Sequence, residues 1–149
     1  MEIFILLLLI LINALFVISE IALVSARKSK LESQAERGDE KARRALTLAN
    51  NPEKFLSAVQ IGITLIAILT GVYSGERFAR YLQPSIEKFE TLKPYADTIA
   101  TTIIVVLVTF LSIIFGELIP KRIGLLKAEK IAKSVAGPVN TFARMTHPF

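Results

Sequence analysis

The sequence predicts an all-α integral membrane domain with three transmembrane helices and additional cytosolic and juxtamembrane amphipathic helices. The chain has 149 residues, 52% of them hydrophobic, and a mean hydropathy of +0.53. The apolar residues form three blocks at about 3–26, 55–75 and 98–119, and nearly all charges lie between them. A bilayer core about 30 Å thick requires about 20 such residues in helical form. The blocks must be helices because lipid offers no partners for the amides of an open strand.

The distribution of basic residues predicts an N-terminus outside the cell and a C-terminus in the cytosol. Eight Lys and Arg residues lie between the first and second blocks, four between the second and third, and six follow the third. Cytosolic loops are enriched in Lys and Arg, which places the first connection and the tail inside. Glu2 precedes the first block and Arg27 follows it, the reverse of the charge order of a cleaved signal peptide. We expect a multi-pass protein of the cell inner membrane.

The overall charge and the absence of cysteine exclude several classes of function. The net charge is +5, but the basic residues border hydrophobic blocks, so they indicate contact with the lipid bilayer rather than nucleic acid. The sequence contains no Cys, which rules out disulfides, thiolate metal sites and cysteine nucleophiles. It also lacks a paired nucleophile and base or a zincin-like His motif. We therefore do not expect an enzyme.

The segments outside the three blocks are predicted from composition. Residues 29–49 are rich in helix formers, and Gly38-Asp39 divides them into two cytosolic helices. Asn50-Asn51-Pro52 predicts a break before the second span. Residues 76–97, with two prolines and mixed charge, are expected to form an outer loop. Residues 121–147 predict an amphipathic juxtamembrane helix interrupted at Gly137-Pro138, lying on the membrane surface or packed against another domain.

Polar residues inside the apolar blocks are the candidates for function, because a carboxylate in the middle of a membrane helix costs about 3 kcal/mol. At 1.5 Å per residue, Glu20, Gln60 and Glu117 would lie about 6–10 Å inside the cytosolic boundary. We expect these side chains to face one another or a water-filled cavity. The full set of candidates comprises Asn13, Ser19, Glu20, Gln60, Thr64, Gly116 and Glu117.

Glu117 is the strongest candidate because a proline follows it. Pro120 has no N–H, so the carbonyl of Gly116 loses its helical donor and the helix is expected to break there. A free carbonyl beside a carboxylate suits a hard cation.

Other interpretations of these residues remain open. Asn13, Ser19, Gln60 and Thr64 could only join helices by hydrogen bonds, and Glu20 could only pair with a basic residue at the interface. Structural roles are assigned to five residues: Gly62, Gly71, Gly75, Pro120 and Lys121. Of these, Gly71 and Gly75 form a small-residue stripe suited to close packing or a dimer contact.

Four motifs carry a family resemblance. They are Asn-Ala-Leu-Phe-Val-Ile-Ser-Glu-Ile-Ala-Leu at 13–23, Ser-Lys-Leu-Glu at 29–32, Gln-Ile-Gly-Ile-Thr-Leu at 60–65 and Gly-Glu-Leu-Ile-Pro-Lys at 116–121. Together they resemble the membrane domain of the CorC/cyclin-M (CNNM) magnesium transporters, in the haemolysin-like branch that carries CBS domains. The resemblance implies a homodimer with a cytosol-facing cavity and a juxtamembrane helical belt. It also implies a cytosolic CBS pair and a small C-terminal domain, which lie outside this chain.

The resemblance also implies an ion site. Gly116 and Glu117 match the family's motif, and Asn13 stands where a serine is usual. Magnesium-transporting members have polar residues where this chain has Val17, Ile63 and Ala67, side chains that cannot coordinate a metal. Related haemolysin-like members are associated with export of putrescine and cadaverine. An apolar cavity with one or two carboxylates would suit such a diamine.

The sequence thus predicts a transport domain for a cationic solute, working by alternating access. The first choice of substrate is a divalent cation, Mg²⁺, moving outward, with no other cofactor. Two alternatives stay open: a polyamine exporter, and a dimeric membrane anchor or sensor that transports nothing and serves the cytosolic CBS modules.

Overall fold

The computed structural model describes residues 1–146, and every regular element within them is a helix. Three of these segments are long and apolar enough to cross a membrane: Glu2–Ser25, Pro52–Glu87 and Lys93–Leu126. The predicted all-α class with three spans is therefore confirmed. The helices are α1 (Glu2–Ser25), α2 (Lys28–Glu36), α3 (Glu40–Asn50), α4 (Pro52–Glu87), α5 (Ala96–Ile113), α6 (Ile119–Leu126) and α7 (Ala128–Thr146). A 3₁₀ turn at Lys93–Tyr95 precedes α5, and a π-helical turn at Ile114–Leu118 joins α5 to α6.

The membrane bundle consists of α1, α4 and the third span, which is α5, the π-helical turn and α6 together. Helix α4 packs against both α1 and α5, and α1 also packs against the π-helical turn and α6. Large apolar side chains remain exposed on the outer surface of the bundle, such as Val72 and Val106, which are 77% and 64% exposed. An apolar outer surface of this kind is stable in lipid.

A second unit, the helical collar, comprises α2, α3 and α7 together with the adjoining ends of α1 and α4. Its core is one contiguous apolar cluster that includes Leu23, Leu31, Phe55, Val59 and Ala132, each at most 1% exposed. Helix α7 packs on both α1 and α3, and thus ties the collar to the bundle. The polar outside of these helices contrasts with the apolar outside of the bundle.

The predicted turn at Gly38-Asp39 is confirmed in detail. Gly38 has φ +96°, a conformation that side-chain-bearing residues rarely adopt. Asp39 caps α3 by accepting hydrogen bonds from the N–H groups of Lys41 and Ala42, and its Oδ2 accepts from Nζ of Lys133 at 2.8 Å. The hydrogen bond from Lys133, followed by that from Ala42, lowers the pKa of Asp39 from its ordinary value of 3.8. The turn is therefore also a contact between α3 and α7.

The structure differs from the sequence-based prediction at the outer loop. The break before Pro52 is confirmed, but α4 continues through Pro84 to Glu87, so the first half of the 76–97 segment is helical. The end of an apolar block marks where a helix leaves the lipid. The helix itself continues as long as its residues have sufficient helix propensity. Residues 76–87 contain many good helix formers, which explains the extension.

Two expected helix breaks are absent from the described residues. The third span does not end at 119, because the π-helical turn leads directly into α6, with Pro120 in its first turn. Helix α7 likewise runs through Gly137-Pro138. A proline removes one backbone hydrogen bond and bends a helix, which packing on both sides can tolerate. Position 147, the predicted end of the juxtamembrane helix, lies outside the described residues.

Candidate functional site

A cavity of about 270 Å³ lies between α1, α4 and the third span. Much of its wall is apolar and includes Ile10, Ile63, Ala67, Val105 and Val108. Its polar residues comprise one carboxylate, one amide and four hydroxyls, namely Glu117, Asn13, Thr70, Ser74, Thr109 and Ser112. All three spans contribute to it. The cavity therefore places a single acidic group at the edge of an apolar space.

Asn13 connects the first and third spans at this cavity. Its Nδ2 donates a hydrogen bond to the carbonyl of Gly116 at 3.0 Å. That carbonyl is available because Pro120, four residues later, has no N–H to donate. A Cβ added at position 116 would lie 3.0 Å from the same nitrogen, so a larger residue there would require the Asn13 amide to shift. The predicted free carbonyl is thus bound by an amide of the protein itself.

The hydrogen bond to Gly116 fixes how the Asn13 amide is oriented. Since a carbonyl accepts hydrogen bonds, the NH₂ group must point to it and Oδ1 must point away. Oδ1 is buried and has no hydrogen-bond partner within the described part of the chain. A buried unpaired acceptor is costly. This oxygen is enclosed by protein atoms and does not border the open space of the cavity.

Glu117 is about half exposed, with 47% of its side chain accessible. Its Oε1 accepts a hydrogen bond from Nζ of Lys121 at 2.9 Å, one helical turn further along. The Lys121 side chain is 42% accessible, so the pair lies at a rim and not in a closed interior. The carboxylate therefore already holds a primary ammonium group in this structure.

The hydroxyl groups of the cavity fall into two kinds. Thr70 Oγ1 donates to the carbonyl of Ile66 at 2.7 Å, within its own helix. Ser112 Oγ is buried and, among residues 1–146, has no hydrogen-bond partner. Ser112 and Asn13 thus each carry a buried oxygen without a hydrogen-bond partner in the described residues.

The structure brings only part of the predicted set together. Asn13, Gly116 and Glu117 meet, and Ser19, Glu20, Gln60 and Thr64 do not line this cavity. Gln60 and Thr64 lie exposed on α4, and their neighbours Ile63 and Ala67 face the cavity instead. Depth in the membrane follows from residue spacing, whereas the rotation of a helix about its axis does not.

Ser19 and Glu20 also lie away from the cavity. Ser19 is buried where α1 meets α7, and its Oγ donates to the carbonyl of Leu15 at 2.7 Å. Glu20 is partly exposed and takes part in none of the ion pairs found among the described residues.

The four hydroxyl residues of the cavity are absent from the set predicted from the sequence: Thr70, Ser74, Thr109 and Ser112. A signal was present: Ser112 lies four residues before Gly116, and Thr109 three before Ser112, so all share one face of the third span. Serine and threonine were overlooked because they are common in membrane helices, where they often bond to their own backbone. Only the structure separates the bonded hydroxyl of Thr70 from the unbonded one of Ser112.

The glycines of α4 have different environments. A Cβ at Gly62 would lie 2.7 Å from the ring of Phe16, which in turn packs on Phe142 with 5.2 Å between ring centroids. Gly62 therefore allows α1, α4 and α7 to pack closely. A Cβ at Gly71 or Gly75 would meet no atom within 4 Å. These two glycines therefore do not serve a close approach of another helix within the described part of the chain.

The end of the bundle nearest Glu2 is held together by side-chain contacts. Leu6, Ile10 and Val108 form a small buried cluster, and the last two also line the cavity. Beyond the cluster, Tyr81 donates a hydrogen bond to Oε2 of Glu2 at 2.8 Å, and Arg77 lies 3.7 Å from Oε1. The two ends of the bundle thus differ: a small apolar cluster and exposed polar contacts join the spans near Glu2, and the other end presents Glu117.

Within the part of the chain that the structure describes, no three His, Cys, Asp or Glu side chains lie close enough to hold a metal ion together. Among the described lining residues, the carboxylate that a cation in the cavity would meet is that of Glu117.

Comparison with known proteins agrees with this architecture. Residues 4–149 match the family described as the cyclin M transmembrane N-terminal domain. The UPF0053 protein sll0260 of Synechocystis is 47% identical over 99% of this chain and 33% of its own length. Proteins named polyamine export protein in Haemophilus influenzae and Salmonella typhimurium are 39% and 35% identical, over 89% and 93% of this chain and 32% and 31% of theirs.

The chain spans about a third of the length of these relatives. Its three spans and the family match over residues 4–149 make it a multi-pass membrane protein. The chain belongs to the cyclin M (CNNM) family, whose transmembrane domain it contains.

Proposed function

We propose that this domain exports a cationic solute by alternating access, and that a linear polyamine is the substrate its cavity fits best. The observation that carries the proposal is Glu117, the single carboxylate of an otherwise largely apolar cavity, already holding an ammonium group at 2.9 Å. A solitary acid in a membrane domain is expected to bind a cation or to relay protons.

The chemistry of Lys121 supports an alkylammonium substrate. The side chain of lysine ends in a methylene group and a primary ammonium, as do putrescine and cadaverine. The amine end of a substrate could therefore replace Lys121 at Oε1 of Glu117 with the same geometry. The methylene chain would lie against apolar walls such as Ile63 and Val108, which bury it from water. Relatives named polyamine export proteins add weight to this choice.

Mg²⁺, the first choice from the sequence, is the second candidate. Its protein ligand would be the carboxylate of Glu117, since Mg²⁺ often keeps several waters and needs only one or two carboxylates. Two features favour the amine over the metal. Ile63 and Ala67 offer no oxygen to the cavity, and the Gly116 carbonyl already accepts a hydrogen bond from Asn13.

We propose outward movement, with the collar in the cytosol. The excess of Lys and Arg in the first connection and the tail supports this orientation. Glu117 would then receive substrate from the cytosol, and the end near Glu2 would face outside. Transport requires that the cluster of Leu6, Ile10 and Val108 separates while access at Glu117 closes.

The remaining predictions concern assembly. We propose that the full-length protein continues into cytosolic CBS modules, resides in the inner membrane and forms a homodimer. Large exposed apolar side chains of α4, such as Val72, offer a surface to a second copy. Cross-linking of a cysteine placed at Val72 tests the dimer, since a monomeric protein would give no cross-linked product.

Flux in proteoliposomes containing the full-length protein tests the function. Labelled putrescine and Mg²⁺ are measured separately, for wild type and for Glu117→Gln, which keeps the shape of the side chain but removes its charge. Glu32→Gln, on the exposed face of α2, is the matched control. We expect putrescine flux that Glu117→Gln abolishes and Glu32→Gln leaves intact.

The other outcomes are equally decisive. Mg²⁺ flux without putrescine flux would select the metal. Flux of neither solute would favour a membrane anchor or sensor, and equal putrescine flux in wild type and Glu117→Gln would remove Glu117 from the mechanism.

A further inference from the structure

A second pocket lies where the end of α3, the start of α4 and the end of α7 meet, and we call it the collar pocket. Its volume is about 770 Å³, comparable to that of pockets that hold small molecules. Leu48 contributes from α3, Lys54 and Ile61 from α4, and Arg144 from α7. Among the described residues, the collar pocket shares no lining residue with the cavity at Glu117. The two spaces are therefore separate.

One face of α4 extends the collar pocket from the membrane boundary into the apolar block. Lys54 directly precedes that block, which begins at Phe55, and Ile61 lies within it. Lys54, Ser57, Ala58 and Ile61 all line the pocket, because their spacing of i, i+3, i+4 and i+7 places them on one side of the helix. The rise from Lys54 to Ile61 is about 10 Å at 1.5 Å per residue. One end of the pocket thus lies at the level of lipid headgroups, and the other lies at the level of acyl chains.

Basic side chains predominate around the collar pocket. Lys54 and Arg144 line it from two different helices, and Glu53 supplies the one carboxylate among its described lining residues. A third cation borders it, since Nη1 of Arg44 would lie 3.8 Å from a Cβ at Gly137, on the face of α7 that carries Arg144. None of these three cations takes part in an ion pair within residues 1–146. Their combined charge favours an anionic ligand.

We propose that the collar pocket binds a phospholipid with an anionic headgroup, represented by phosphatidylglycerol. Lys54 and Arg144 bind the phosphate, and an acyl chain follows α4 past Ala58 to Ile61. Hydrogen bonds from Lys and Arg to phosphate are strong, and basic pockets between membrane helices suit anionic headgroups. The site goes beyond the proposed function, since it does not depend on which solute the domain transports.

The apolar part of the wall favours a lipid over a soluble phosphate compound. Leu48, Ala58, Ile61 and Ala143 line the pocket, and burial of methylene groups against such side chains is favourable. Ile61 is 45% exposed on the bundle, so the pocket borders the surface that lipid covers. An acyl chain can thus enter from the bilayer, whereas a soluble phosphate compound would leave the apolar part of the wall uncovered.

Native mass spectrometry of the full-length protein in detergent tests the site. Phosphatidylglycerol and phosphatidylcholine with identical acyl chains are added separately, and glycerol 3-phosphate serves as the soluble probe. The variants are Lys54→Gln and Arg144→Gln, which remove a charge, and Ala143→Phe, which fills apolar space and keeps the charge. Lys130→Gln is the matched control, since Lys130 is exposed on α7 and does not line the pocket. A melting curve verifies that each protein folds.

We expect wild type to bind phosphatidylglycerol more tightly than phosphatidylcholine by about fivefold or more. Lys54→Gln and Arg144→Gln should each weaken phosphatidylglycerol binding about fivefold, the effect of one basic group beside an anionic headgroup. Ala143→Phe should weaken the binding of both lipids, because the acyl chain loses its space. Lys130→Gln should behave as wild type, and glycerol 3-phosphate should bind far more weakly than the lipid.

Opposite results would overturn the lipid site. Absent or equal binding of the two lipids by wild type would show that the pocket does not select an anionic headgroup. An equal loss in Lys130→Gln and Arg144→Gln would assign the preference to the overall charge of α7 and not to the pocket. Glycerol 3-phosphate that binds as tightly as the lipid would make the ligand a soluble anion.

Discussion

The helical collar and the membrane bundle are built from the same kind of element but are stabilised differently. The collar buries one contiguous cluster that includes Leu31, Phe55 and Ala132. The bundle has only small separate clusters, such as Leu6 with Ile10 and Val108, and it exposes large side chains such as Val106. The hydrophobic effect stabilises the collar, because its helices remove apolar surface from water. Burial of apolar surface between spans in lipid contributes no comparable free energy to the bundle.

This difference has a consequence for mechanism. Spans that bury little apolar surface between them can shift at low cost, whereas a contiguous core resists deformation. The collar can therefore act as a fixed frame, held to α1 and α4 through α7, while the cavity in the bundle changes its access. The two units should respond to substitution with very different magnitudes.

Removal of a large side chain from the collar should have the largest effect. Phe55→Ala leaves a cavity in the collar core, where Phe55 is 1% exposed, and we expect a loss of about 3–5 kcal/mol in unfolding free energy. Val106→Ala, on the exposed face of the bundle, should cost far less. Denaturant unfolding in detergent measures both, and equal losses would contradict the distinction between the two units.

Overpacking at the junction of the two units should have an intermediate effect. Gly62→Val forces a side chain towards the ring of Phe16, which Phe142 prevents from moving freely. We expect a loss of about 1–3 kcal/mol in unfolding free energy. The matched control is Gly71→Val, where no atom lies within 4 Å of the new Cβ. If both variants unfold alike, Gly62 is not needed for close packing.

The contrast between the collar and the cavity also explains which features the sequence predicts. The three spans, the turn at Gly38 and the break before Pro52 follow from composition and local chemistry. Asn13 and Glu117 could be selected because polar groups in apolar blocks are costly. Gln60 and Thr64 could not be rejected, because the helix rotation that turns Ile63 and Ala67 to the cavity depends on packing with other spans.

Pro120 also shows which features local sequence rules predict and which depend on tertiary structure. The missing N–H of Pro120 correctly predicted an available carbonyl at Gly116. The helix break predicted with it is wrong, since a π-helical turn and the amide of Asn13 compensate for the lost bond. A local rule identifies the unsatisfied atom, and only the tertiary structure shows what satisfies it.

Substitution of Lys121 should change the substrate concentration for half-maximal flux only modestly, but the direction of the change shows whether Lys121 competes with substrate or assists its binding. If its ammonium competes with substrate for Glu117, then Lys121→Gln should lower the substrate concentration for half-maximal flux by about two- to fivefold, as expected for an exposed ion pair. Lys121→Arg keeps the charge and should resemble wild type. A higher half-maximal concentration in Lys121→Gln would mean that Lys121 assists binding and does not compete.

The smallest effect concerns the pH dependence of the collar. The pKa of Asp39 is lowered chiefly by Lys133, so this contact stabilises the folded state above pH 3.8 and is lost as pH falls through the lower pKa of the folded protein. Lys133→Gln should therefore be less stable than wild type at neutral pH, and the difference should shrink in strong acid. Melting temperatures measured between pH 7 and the acid limit check this, and a constant difference would contradict it.

The most direct measurement is the binding of putrescine to purified full-length protein by titration calorimetry, in wild type and Glu117→Gln. Saturable binding to wild type and none to Glu117→Gln is the expected result, because the cavity holds no second carboxylate among its described residues. Equal affinity in the two proteins would show that the cavity at Glu117 is not where the cationic solute binds.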